Sequence, residues 1–111
     1  MDAMPTHDPR NTPTIVRTAT LPAVEGRYPA PFDAEGLSFG RDLGRAAGSE
    51  HFGVWHEHLP PGRRTSRAHA HSDEEEAVYV LQGPILLRYA PRGGAHATST
   101  AASPEWATAT W

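Results

Sequence analysis

The stretch Pro60-Pro61-Gly62-Arg63-Arg64-Thr65-Ser66-Arg67-Ala68-His69-Ala70-His71-Ser72-Asp73-Glu74-Glu75-Glu76-Ala77-Val78-Tyr79-Val80-Leu81-Gln82-Gly83 decides how this chain is read. It begins at a proline–glycine turn that closes the run His51 to Leu59, whose aromatic and β-branched residues predict a strand. Beyond an Arg/Ser/Thr loop, residues 67–71 are expected to form a short strand. Ser72-Asp73-Glu74-Glu75 then serves as a polar hairpin connection, and Glu76 to Gln82 is the next strand, ended by Gly83-Pro84. Ile85 to about residue 90 is a further strand before Pro91-Arg92-Gly93-Gly94. Short strands recurring every 8 to 12 residues or so indicate an all-β sandwich or barrel.

Side chains alternate faces along a strand, so His69 and His71 are expected on one side. A hairpin through the acidic turn brings the Glu76 carboxylate back toward them. Two imidazoles and one carboxylate can share a divalent ion and leave positions open on it, the arrangement suited to Fe(II), Mn(II) or a similar metal. Three acids precede the strand, so a one-residue slip would put Glu75 in place of Glu76. Asp73, Glu74 and Glu75 otherwise read as solvated turn residues.

This segment resembles the first motif of the cupin superfamily: Gly, five residues, His-x-His, three or four residues, Glu, six residues, Gly. Four residues separate His71 from Glu76 and six separate Glu76 from Gly83, while six rather than five lie between Gly62 and His69. The resemblance covers residues 60–83, with weaker likeness upstream at Leu43-Gly44 and Gly48-Ser49. It implies a small cupin-type, jelly-roll-like β-barrel, commonly a homodimer, with His69, His71 and Glu76 as metal ligands. The implied cofactor is a divalent transition metal (Mn, Fe, Zn or Ni), and the implied partner is a small oxygenated molecule. Dioxygenase and isomerase or epimerase activities both belong to such a site, and no catalytic residue stands out beyond the ligands. A non-catalytic ligand-binding module is the alternative.

Cupins carry a second motif, with Pro-x-Gly and a further His, and nothing after Gly83 has that form. His96, in Gly-Gly-Ala-His-Ala, is the only later histidine. The barrel is therefore expected to be incomplete at its C-terminal end. A truncated or frame-shifted chain without activity becomes a third reading, since all ten basic residues are Arg and the composition is that of GC-rich codons.

Outside the motif the chain divides into a flexible arm (1–13), a β domain (14–94) and a low-complexity tail (95–111). Residues 14–20 are β-prone and suit an edge or swapped strand. Residues 22–31 read as an extended, proline-rich connection, and glycines at 40, 44 and 48 argue against a long helix there. In the tail, twelve of seventeen residues are Ala, Thr or Ser, which predicts no regular structure. Phe52 and Trp55 read as packing residues and Arg88 and Tyr89 as surface ones. His56 and His58 form a second His-x-His that could enlarge the site.

Composition narrows the function classes. Ile, Leu, Val and Phe total 17 of 111 residues, a thin core for one small domain. A formal charge of −3 with no dense basic face excludes the footprint of a nucleic-acid binder, and the Arg63, Arg64, Arg67 cluster reads as solvated. There is no cysteine, hence no disulfide or thiolate chemistry. Neither a signal-type leader nor a membrane-length apolar run is present, which makes the cytoplasm the expected location.

Overall fold

The structure is a computed structural model that describes residues 13–71, 73–90, 94–103 and 105–109. The expected arm, apart from Pro13, lies outside these residues. What is described forms two compact units, divided between Thr65 and Ser66. Both are β-rich with small antiparallel sheets, and no barrel closes among the described residues. No helix among them is long and apolar enough to cross a membrane.

The first unit is a three-stranded sheet of β1 (Val24–Glu25), β2 (Phe39–Asp42) and β3 (Trp55–His58), in that order. Glu25 faces Phe39, and Phe39 faces His58. The strand expected over 51–59 is therefore confined to its aromatic and histidine-rich second half. After it, Arg63 N–H donates to the Pro60 carbonyl at 3.2 Å. Pro61 and Gly62 occupy the corner positions, and Gly62 has φ +78°, the conformation of a type II turn that glycine adopts without strain. Between β2 and β3 runs one short helix, α1 (Leu43–Ala46), started by the Asp42 carboxylate accepting from Arg45 N–H at 2.9 Å. Its shortness agrees with the glycine spacing.

Residues 14–20 do not form the expected strand. They run extended into a 3-10 turn at Thr18–Thr20, where the Thr20 hydroxyl donates to the Arg17 carbonyl at 2.7 Å. Such local side-chain bonds compete with a strand ladder. The arginine cluster is also more than solvated. Arg63 donates to Glu25 Oε2 at 2.8 Å and to the Leu37 carbonyl at 3.1 Å, with its guanidinium 5.4 Å from the Phe39 ring centre. Arg64 grips Glu35 through three contacts of 2.9 to 3.1 Å. Acids that precede them by 29 to 38 positions thus neutralise both side chains.

The second unit contains β4 (Glu76–Val80), β5 (Ile85–Tyr89), β6 (Ala97–Ala101) and β7 (Glu105–Ala109). β4 pairs with β7 and β5 with β6, both antiparallel, so the second pair is nested inside the first. At the corner, Gly83 N–H donates to Ser103 Oγ at 2.6 Å, and Ala102 N–H donates to the Glu105 carboxylate at 2.6 Å. Val80 and Ala101, 5% and 8% exposed, are the buried apolar residues here, and Leu37 holds that place in the first unit. A β-carbon on Gly83 would stand 3.0 Å from Val80 Cγ1 and 3.1 Å from the Ala101 carbonyl oxygen. Any larger residue at the corner needs these neighbours to give by a few tenths of an ångström.

Two expectations fail in this unit. Residues 67–71 are not a strand: they run as irregular chain, where the His69 ring bonds the Arg67 carbonyl of its own segment. Residues 97–101 and 105–109, read as lacking regular structure, are both strands. The backbone groups on one edge of each pair with β5 and β4, a long-range pairing that an Ala/Thr/Ser composition permits without announcing.

Candidate metal centre

His69, His71 and Glu76 form the one group of three or more His, Asp or Glu side chains with convergent donor atoms among the described residues. One ligand atom from each lies within 4.8 Å of the others. Glu76 is the first residue of β4, held in register opposite Ala109. The histidines lie on irregular chain, so strand alternation is not what brings them together. Their rings meet edge to face, with centroids 4.8 Å apart and planes at 84°.

Local bonds orient this irregular segment. His69 Nδ1 is 2.8 Å from the Arg67 carbonyl oxygen, and Ser66 Oγ is 3.3 Å from the same nitrogen. A carbonyl only accepts, so Nδ1 carries the proton and Nε2 keeps its lone pair. Backbone carbonyls hold metal-ligating histidines in this way. His71 is the half-buried member, 33% exposed, with Nε2 at 3.4 Å from Glu76 Oε1.

These separations fit a divalent metal. Donors about 2.1 Å from one ion at tetrahedral or octahedral angles stand roughly 3.0–3.4 Å apart. The His71–Glu76 pair already satisfies this. A separation at the 4.8 Å limit must shorten by roughly 1.4–1.8 Å, which exposed side chains on irregular chain can do by torsion. Imidazole and carboxylate together suit Zn, Fe, Mn or Ni and leave further positions open.

The other candidates stand apart. Glu75 is exposed and does not belong to the convergent group, so the slipped register is not the one adopted. His96 is exposed and also lies outside it. His56 and His58 lie in the first unit. His56 Nδ1 is 3.3 Å from Arg41 Nη1, and the guanidinium can only donate, so this lone pair is engaged beside a positive charge that opposes a second cation. The His58 ring centre is 6.5 Å from that of Phe39. Trp55 lies against Gly40, yet it and Phe52 are exposed rather than buried as packing residues would be. Arg88 and Tyr89 are surface residues of β5, with Tyr89 Oη at 3.5 Å from Ser99 Oγ.

One contact was hidden within the acidic run. Glu74 Oε2 is 3.6 Å from His71 Nδ1, three positions along the chain. The spacing is visible in the sequence, but three consecutive acids gave no reason to single out the first glutamate.

No family model matches this chain, and neither a curated protein nor a solved structure matches it.

Proposed function

We propose that this chain is a cupin-type β protein that holds a divalent transition metal through His69, His71 and Glu76 and presents it to a small oxygenated ligand. The observation that carries the reading is the convergence of two imidazoles and one carboxylate at the motif's own spacing. The nested pairing of β4 with β7 and β5 with β6 supports a jelly-roll-like course, since that fold is made by bending one long antiparallel pair. Gly83, the motif's last residue, is at the bend.

When bound, the metal supplies Lewis acidity or redox chemistry with dioxygen. The chain's residues supply placement. His69 offers Nε2 because Arg67 holds Nδ1, His71 offers Nε2 toward Glu76, and Glu76 contributes charge from the rigid end of a strand. His69 and Glu76 are open to solvent, which favours the non-catalytic alternative, a module that captures a ligand on the metal.

Calorimetric titration of Mn(II), Fe(II) and Zn(II) into chelator-treated protein tests the reading. Uptake of one ion per chain, abolished in His71→Ala, is expected. Uptake unchanged by that substitution would place the metal elsewhere and overturn it. With the metal loaded, turnover separates an enzyme from a module that is only stabilised by ligand.

A further inference from the structure

His71 stands between two carboxylates. Glu76 Oε1 is 3.4 Å from its Nε2, and Glu74 Oε2 is 3.6 Å from its Nδ1. His69 has the same arrangement in another form, with Nδ1 at 2.8 Å from the Arg67 carbonyl. Each imidazole therefore has an accepting oxygen beside Nδ1, and for His71 the group toward Nε2 is a proposed ligand. We propose that Glu74 is the positioning residue of His71: it takes the Nδ1 proton in a hydrogen bond, and so turns the Nε2 lone pair toward the point shared with His69 and Glu76. This rests on the metal reading above.

The contact at 3.6 Å is longer than a hydrogen bond. Closing it by about 0.7 Å requires only side-chain torsion in Glu74, whose side chain is 68% exposed. Binding of a cation at Nε2 drives that closure, because a ring coordinated there must carry its proton on Nδ1 and needs an acceptor for it. The negative charge behind the ring also strengthens the donor nitrogen. Asp73 and Glu75, exposed in the same run, have no such ring contact with His71, so the acids are not equivalent.

The test uses Zn(II), titrated at one pH into chelator-treated wild type, Glu74→Ala, Glu74→Gln and Asp73→Asn. It is joined to nitrogen-15 spectra of the histidine rings in the zinc-loaded proteins. Glu74→Ala is expected to weaken binding roughly 10- to 100-fold, the usual cost of losing such a partner. Glu74→Gln, whose amide oxygen still accepts from Nδ1, recovers part of the loss, and Asp73→Asn binds as wild type does. In wild type the His71 spectrum shows a protonated Nδ1 and a coordinated Nε2, and in Glu74→Ala that single pattern is lost. Wild-type affinity and an unchanged His71 spectrum in Glu74→Ala would overturn the role of Glu74 while leaving the metal site standing. An equal loss in Asp73→Asn would do the same, by showing a diffuse charge effect. Absence of zinc uptake by wild type would overturn the site and the positioning role together.

Discussion

His71 Nε2 and Glu76 Oε1 are 3.4 Å apart, the separation of two ligands on one ion and longer than a good hydrogen bond between them. That spacing would admit an ion bound by both. Glu76→Gln removes the charge while keeping the size, and His71→Ala removes the donor. Each should reduce metal uptake by more than the roughly 100-fold upper range for outer partners. Protons compete for the imidazole nitrogens, so uptake in wild type should also weaken on acidification. Calorimetry with Zn(II) at several pH values checks both, and pH-independent uptake would argue against imidazole ligands.

A second prediction concerns the corner of the nested strands. The β-carbon of Gly83→Ala would meet the Ala101 carbonyl oxygen at 3.1 Å, and that oxygen belongs to backbone already paired in β6. Something must shift, at a cost of roughly 1–3 kcal/mol. Ser103→Ala removes the acceptor of the Gly83 amide and should cost about 0.5–1.5 kcal/mol. Both changes act at residue 83, where a shift of the chain in Gly83→Ala already weakens the bond to Ser103, so the double variant should lose less than the sum. Urea unfolding of the three variants measures this, and a neutral Gly83→Ala would show that the corner is not tight.

Acid should loosen the first unit through Glu25. The Arg63 hydrogen bond, followed by that of Arg27, holds this carboxyl below its ordinary value of 4.5. A depressed folded value means that the stabilisation is fully present above about 4.5 and is lost as pH falls through the lower folded value. Wild type should therefore lose stability more steeply than Glu25→Gln below that pH, and the two curves should converge in strong acid. Parallel curves would indicate that the Glu25–Arg63 contact, 2.8 Å long, contributes nothing in solution.

The candidate ligands were legible because metal chemistry constrains residue type and spacing together, and His69, His71 and Glu76 meet both conditions. How they converge was not. Alternation along a strand put the two histidines on one face for a reason the structure does not use, since Arg67 and Ser66 position His69 through local bonds instead. The turn at Pro60 to Arg63 was legible because proline and glycine restrict backbone angles by themselves. β6 and β7 were not, because their backbone groups pair with β5 and β4 while few large apolar side chains mark them. Arg63 was read from its neighbours Arg64 and Arg67, whereas its partner Glu25 lies 38 positions away.

The pairing of β6 and β7 makes the last prediction. Ala97 to Ala101 offers Ala, Thr, Ser, Thr, Ala, with Ala101 buried and the middle exposed, so side-chain burial contributes little to holding this strand. What holds it is the ladder to β5, in which Leu87 faces Ser99 and Ile85 faces the buried Ala101. Residues 67–71 have polar contacts of their own but no ladder. Hydrogen exchange distinguishes these cases, because an amide in a ladder exchanges only when the ladder opens. Ladder amides of β6 should exchange more slowly than those of residues 67–71, and those of β4 should be slowed in step with their partners in β7. Weakening the corner with Gly83→Ala should speed exchange in β6 and in β4 together, since the added β-carbon would press on both Val80 and Ala101. Exchange in β6 as fast as in residues 67–71 would mean that the nested pair does not persist in solution, and Glu76 would lose the strand that aims it at His71.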